Sequence, residues 1–352
     1  MRVKPSQLVP GCILLNDVIG KTDQPIMTKQ TVLSKKHITV LKKFLVDYVD
    51  VSRKLNNGEV FEPAVHETKQ PSASFLTHYL SVVDAYKNLF TGWQNNVPID
   101  MASIRNTLMP LLERMTDITR VVHTLHRYAT KKDYFFHHGV SVAILSAYIG
   151  KKMGYSKGEW LQLGLAGFLS DIGMAKIRPD IRFKTDVLND AEYQEVKKHP
   201  IYSYRMIEQQ PTVSHAAKLG ILQHHERVDG SGYPLGLKKN KIHRFARIIA
   251  VCDIYHAMIS ERYYKDKQSP FLVIDELHRE QFSKLDPQIV QTFIESLINL
   301  STGVHVRLSN GQTGVIVFIQ PNAPTRPIVK LDANGDMIAL QDNPDLFIAE
   351  TL

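Results

Sequence analysis

Cysteine is almost missing from this chain: Cys12 and Cys252 are the only two among 352 residues. They stand far apart and form no CxxC-type pair, so a disulfide framework and a thiolate metal site are both excluded, and free thiols in a reducing compartment are expected. Long apolar runs are missing too. No stretch of eighteen apolar residues occurs, which argues against a membrane-spanning helix. The opening MRVKPSQLVPGCILLNDVIG lacks the unbroken apolar core of a secretory signal. The expectation is a soluble, cytoplasmic protein with no membrane partner. Acidic charge is the minority, 35 Asp and Glu against 43 Lys and Arg, for a net +8 with His neutral. That balance favours anionic ligands, but the basic residues are scattered rather than gathered in a block, so no nucleic-acid partner is expected.

What is present is ordinary globular composition, 43% hydrophobic and 22% charged, in a chain long enough for more than one core. Residues 1–66 mix the strand-like QLVPGCILLNDVI, the helical SKKHITVLKKFLVDY and the short YVDVS, and read as a small α/β module. Residues 67–98 read as a linker, KQPSAS at its start, with a leading helix. From 99 to 300 the helical period dominates. Ile104, Leu108, Leu111, Met115, Ile118 and Val122 recur every three to four residues, as one apolar face does. Similar patterns in GEWLQLGLAGFLSDIG, AEYQEVKKH, SHAAKLGILQHH, FARIIAVCDIYHAM and DPQIVQTFIESLINL predict a mainly α bundle of about seven to nine helices. Residues 301–352 alternate and carry NG turns, predicting a small antiparallel β module of three to five strands whose basic PTRPIVK segment faces water.

The most informative string is HHERVDGSGYP, residues 224–234. Two adjacent imidazoles, a carboxylate and a loop punctuated by Gly and Pro suggest a metal site, because neutral His and ionised Asp are the ligands that iron, manganese, nickel or zinc take in preference to calcium or magnesium. Four more positions stand in order around it: His138 in YFFHHGVSVA, Asp171 in FLSDIGMAKI, His199 in VKKHPIYSY and Asp253 in FARIIAVCDIYHAM. Each alone has a plain alternative: Asp253 could cap a helix or pair with a cation, and His199, before Pro200, could end one. The ordered set of six is much harder to obtain by chance.

This set resembles the HD-GYP family, metal-dependent phosphodiesterases that open cyclic di-GMP, over about two hundred residues, with Gly232, Tyr233 and Pro234 as the GYP triplet. The resemblance implies that Asp171, His199, His224 and His225 hold one ion. His138, Asp171 and Asp253 would hold its neighbour, Asp171 bridging the two and taking part in catalysis. It implies cyclic di-GMP as partner, with Tyr233 placed to meet a guanine and Arg262 and Lys265 to meet phosphate, and diguanylate cyclase domains docking at the GYP loop.

This chain departs from the family pattern at two positions of one motif: Ser170 replaces the His of the HD pair, and Met174 the Lys of HDxGK. Tyr134 stands where some members carry a Glu that supports a third ion, so two are expected at most. His256, three residues after Asp253 on the same predicted helical face, replaces the usual Asp and offers a substitute imidazole. Two readings follow: a phosphodiesterase yielding pGpG and then GMP, or a catalytically degenerate module serving as cyclic dinucleotide sensor or protein scaffold. A third, hydrolysis of ppGpp or dNTPs by another kind of HD protein, is disfavoured by the paired His residues and the GYP loop. Oligomer formation stays open.

Overall fold

The computed structural model describes residues 2–3, 5, 8–19, 25–43, 46, 49–61, 74–182, 184–261, 267–280, 283–297, 302–320 and 323–352. Its contacts divide the chain into two compact units, Met1–Ser74 and Phe75–Leu352.

The first unit holds two antiparallel strand pairs, β1 (Arg2–Val3) with β4 (Val49–Asp50) and β2 (Val18–Ile19) with β3 (Pro25–Met27), and one helix, α1 (Lys35–Lys43). Apolar residues from each segment, including Leu14, Leu33, Leu41 and Val51, close a small core of its own. Cys12 lies inside it as a free thiol, and burial pushes its pKa up.

The second unit begins with α2 (Phe75–Gln94), α3 (Met101–Leu112), α4 (Met115–Val121), α5 (Tyr134–Lys152), α6 (Lys157–Leu169) and α7 (Pro179–Arg182). It continues with α8 (Asp190–Val196), α9 (His199–Ile207), α10 (His215–Gln223), α11 (Arg244–Ile259), α12 (Pro270–Glu280) and α13 (Pro287–Leu297). Local chemistry marks the starts. Asp100 accepts from the Ala102 and Ser103 amides, Ser214 caps α10, and Ser156 with Glu159 and Asn189 with Glu192 form capping boxes. α5 has no solvent face from His137 to Gly150, every residue being buried, because neighbouring helices cover it all round. α2, which the sequence reading placed ahead of the bundle, supplies Tyr79, Tyr86, Phe90 and Trp93 to the same core.

The face running from Ile104 to Val122 is fully buried as expected, but it is not one helix. α3 contains Pro110, which lacks the N–H of a continuing ladder, and the chain restarts at α4 with Arg114 bonded to Asp117.

Beyond the helices, β5 (His305–Leu308), β6 (Thr313–Gln320), β7 (Ala323–Leu331), β8 (Met337–Ala339) and β9 (Ile348–Thr351) form an antiparallel sheet in the order β8-β7-β6-β5-β9. Alternate residues such as Val306, Leu308, Ile316, Val329 and Leu331 face its core. Of the two basic residues of PTRPIVK, Lys330 faces water and Arg326 does not. Arg326 is 15% exposed and paired with Asp275 of α12, which also accepts the Thr325 hydroxyl, and Arg326 Nη1 donates to the carbonyls of Pro344 and Leu346. Charge pattern alone hid this, because an Arg opposite a half-buried carboxylate reads in sequence like any solvated cation.

Candidate metal centre

Five elements of the second unit aim side chains at one point. His138 lies on α5 and Asp253 on α11, both in turns already buried by the core. Asp171 begins the 3-10 turn Ile172–Lys176 that follows α6, His199 opens α9, and His224 and His225 follow the end of α10.

Two features of the backbone set the registers. Gly173 is pressed against α9 so closely that a Cβ there would stand 2.2 Å from the His199 carbonyl oxygen and 2.5 Å from the Ser203 nitrogen. Ser203 Oγ accepts from the Gly173 amide and donates to the Ser170 carbonyl, so the turn carrying Asp171 is tied to the helix carrying His199.

The GYP loop is fastened in a similar way. A Cβ on Gly232 would lie 2.4 Å from the Arg227 nitrogen, and the buried Glu226 carboxylate accepts the amides of Leu235 and Leu237. Glu226, the acid inside the metal-like string, therefore holds the loop and is no candidate ligand. Glu226→Ala leaves those amides without their acceptor and is expected to cost about 2 kcal/mol of stability. Limited proteolysis checks this: cleavage between 227 and 240 should precede global unfolding, and an uncut loop would refute the role.

The ligand atoms fall into two sets, Asp171 with His199, His224 and His225, and His138 with Asp171 and Asp253, each within 4.8 Å. Asp171 belongs to both. Its Oδ1 is 3.1 Å from His199 Nε2 and 3.5 Å from His224 Nε2, while its Oδ2 is 3.5 Å from His138 Nε2. His138 Nε2 is also 2.9 Å from Asp253 Oδ1, and His225 Nδ1 is 3.9 Å from Asp253 Oδ2.

These donors fit a cation. His199 Nδ1 donates to the Val196 carbonyl at 2.8 Å and His224 Nδ1 to the Ile221 carbonyl at 2.7 Å, which fixes both tautomers and turns both Nε2 lone pairs inward. The two Nε2 atoms face each other at 3.3 Å beside a carboxylate. Such converging lone pairs repel unless a positive charge lies between them. Burial disfavours the Asp171 carboxylate, yet the His199 and His224 imidazoles beside it hold its pKa well below the usual range. Burial tends to lower the His224 pKa, but the Asp171 carboxylate beside it outweighs this and raises it. Burial, with the neighbouring His224 and His199 rings, pushes the His225 pKa well below its ordinary value, which favours the neutral form that a ligand must have.

The degenerate position is visible in the same region. Ser170 is buried at the end of α6 with its hydroxyl donating to the Gly167 carbonyl, so it offers no donor to the cluster. His256 does not replace it. Its Nδ1 meets His138 Nδ1 at 3.1 Å, on the side of the ring away from Asp171 and Asp253. Tyr134, with its hydroxyl 3.2 Å from His138 Nδ1, shares that side. Of the YFFHH pair only His138 enters the cluster, while His137 bonds the Tyr79 hydroxyl within the core.

A cleft of about 300 Å³ opens onto His138, Asp171, His199, His225 and Asp253. Tyr233 lines it, stacked on His225 at 4.7 Å between centroids, with the Lys197 ammonium 5.2 Å from its ring, and burial raises its hydroxyl pKa. Met174 lines it as well, with Lys131, Lys132, Arg182 and Lys184, none of which the sequence reading singled out. Arg262 and Lys265 lie outside the described residues. Among the described residues, no helix is long and apolar enough to cross a membrane.

Known proteins are similar to this chain in sequence and in fold. A family model described as HD domain matches residues 105–289, a little over half of the chain. A cyclic di-GMP phosphodiesterase of Pseudomonas aeruginosa is 33% identical over 208 residues, 59% of this chain and 50% of that protein. The cyclic di-GMP phosphodiesterase PdeB of Borreliella burgdorferi is 30% identical over 207 residues, 58% of this chain and 54% of that one. The chain thus spans about half the length of the curated relatives it matches. Among solved structures, an HDG"Y"P protein from Bdellovibrio bacteriovorus shares the fold, with a TM-score of 0.51 at 16% identity over 84% of this chain and 99% of that one. With the family match running through all six clustered His and Asp residues and the GYP loop behind them, the chain belongs to the HD-GYP branch of the HD domain family.

Proposed function

We propose that this protein is a metal-dependent phosphodiesterase that opens cyclic di-GMP to pGpG and then to GMP. The observation that carries this reading is the sharing of Asp171 between two convergent donor sets at the floor of a cationic cleft. Iron, manganese, nickel or zinc suits the mixture of imidazole and carboxylate. When bound, such ions acidify water and polarise phosphate oxygens. The chain's own part is to hold Asp171 ionised and His225 neutral, to present Nε2 of His199 and His224, and to offer Tyr233 as a flat platform for a guanine. Arg262 and Lys265 are proposed as further phosphate contacts, and the GYP loop as a docking place for diguanylate cyclase domains.

Ser170 favours a second reading. Its hydroxyl is committed to Gly167, which leaves the His138–Asp171–Asp253 set with three protein donors and suits a module that binds the dinucleotide without cleaving it.

Incubating the purified protein with cyclic di-GMP and manganese or iron separates the two. Linear product supports hydrolysis, and binding by calorimetry without product supports the sensor. Two substitutions divide the roles. His224→Ala is expected to lose one metal equivalent and all turnover, whereas Arg262→Ala keeps its metal and loses about 1–3 kcal/mol of nucleotide affinity. Equal metal loss in both variants would refute that division.

A further inference from the structure

His138 is the one imidazole of the His138–Asp171–Asp253 set, because Ser170 supplies no donor. Its ring is met at both edges by residues of a single helix. Nε2 stands 2.9 Å from Asp253 Oδ1 on one edge, and Nδ1 stands 3.1 Å from His256 Nδ1 on the other. Asp253 and His256 are three residues apart on α11, which places both toward α5. The two imidazoles meet edge on, with centroids 5.1 Å apart and planes tilted by 55°.

Two ring nitrogens that face each other at this distance share one proton. A His138 that ligates through Nε2 keeps its proton on Nδ1 and donates it to His256 Nδ1, and His256 then carries its own proton on Nε2. His199 and His224 solve the same problem with backbone, donating to the Val196 and Ile221 carbonyls in the last turns of α8 and α10. His138 lies inside α5, where neighbouring carbonyls serve the helical ladder, so a side chain has to take that part. The Tyr134 hydroxyl approaches His138 Nδ1 at 3.2 Å, but Tyr134 lines the cleft, where water can stand in for it. His256 is 0% exposed, and solvent cannot replace it.

We infer that His256 is the positioning residue of the second donor set: it accepts the Nδ1 proton of His138 and so fixes the tautomer and ring rotation that turn Nε2 toward Asp171 and Asp253. The inference rests on the metal-binding part of the proposed function and holds whether or not the dinucleotide is cleaved.

Manganese titrated into the full chain, with free metal followed by electron paramagnetic resonance, reads the two equivalents separately, while circular dichroism and melting temperature report folding. His256→Phe fills the same space without an acceptor. It is expected to weaken the second equivalent roughly ten- to a hundredfold and to leave the first within about twofold of wild type. His256→Asn sets an amide oxygen where Nδ1 stands and is expected to recover most of that loss, whereas His256→Gln, equally polar but one carbon longer, is expected to resemble His256→Phe. The Asn and Gln pair carries the comparison should His256→Phe fail to fold. Tyr134→Phe is expected to change the second equivalent by less than about threefold. Wild-type affinity in His256→Phe or His256→Gln, equal weakening of both equivalents, no recovery in His256→Asn, or a loss confined to Tyr134→Phe overturns the positioning role and leaves the proposed metal centre standing. A wild-type protein that binds a single equivalent overturns both.

Discussion

Replacing Asp171 with asparagine is expected to empty the metal centre and reduce phosphodiesterase turnover by about a thousandfold or more, the loss of several kcal/mol of transition-state stabilisation. The size of the effect follows from geometry. Oδ1 faces His199 and His224 while Oδ2 faces His138, so a single carboxylate completes both donor sets. An amide has the same shape, no charge, and a nitrogen in place of one of the two acceptors. One set then loses its oxygen donor outright, and the other keeps only a neutral amide oxygen in place of a shared anionic carboxylate. The fold should survive, because the substitution removes a buried charge without opening a cavity. Elemental analysis, product chromatography and circular dichroism check the three parts. Retained metal in Asp171→Asn would show that the cluster is not what holds it.

The second large effect belongs to a residue that touches no ligand. Gly173→Ala is expected to destabilise the protein by more than about 4 kcal/mol and to lose metal in the fraction that folds. The added Cβ would meet backbone, the His199 carbonyl oxygen at 2.2 Å and the Ser203 nitrogen at 2.5 Å, and backbone of two packed segments cannot rotate aside as a side chain can. Relief requires the turn Ile172–Lys176 to move away from α9. That motion separates Asp171 from His199 and breaks the Ser203 bonds to Gly173 and Ser170. Urea unfolding gives the stability change, and a loss below about 1 kcal/mol would mean the two segments are not held as described.

Sequence reasoning reached the cluster because its residues are chemically rare inside a core and come in a fixed order. Six buried or nearly buried His and Asp side chains have no packing purpose that leucine would not serve better. It reached the mainly α bundle and the β module for a different reason, since periods of 3.6 and 2 survive any arrangement of neighbours. What it could not reach were partners distant in the chain. Nothing in YFFHH says that His137 turns to Tyr79 while His138 turns to Asp253, because both are buried and only the facing helices decide. Arg182, Lys131 and Lys184 look like ordinary surface charge until the fold brings them to one cleft. His256 shows the limit from the other side: helical spacing put it on the face of Asp253, but the rotation of the His138 ring left it behind that ring rather than at the cluster. Glu226 stood inside the metal-like string, and only the return of the loop at Leu235 and Leu237 reveals the amides it was there to hold.

Metal content of the protein purified without chelators is the most direct test of the shared carboxylate. The account predicts two equivalents of a transition metal per chain in the wild type and none in Asp171→Asn. A wild-type protein that takes up no iron, manganese, nickel or zinc, even when loaded with excess, would contradict it.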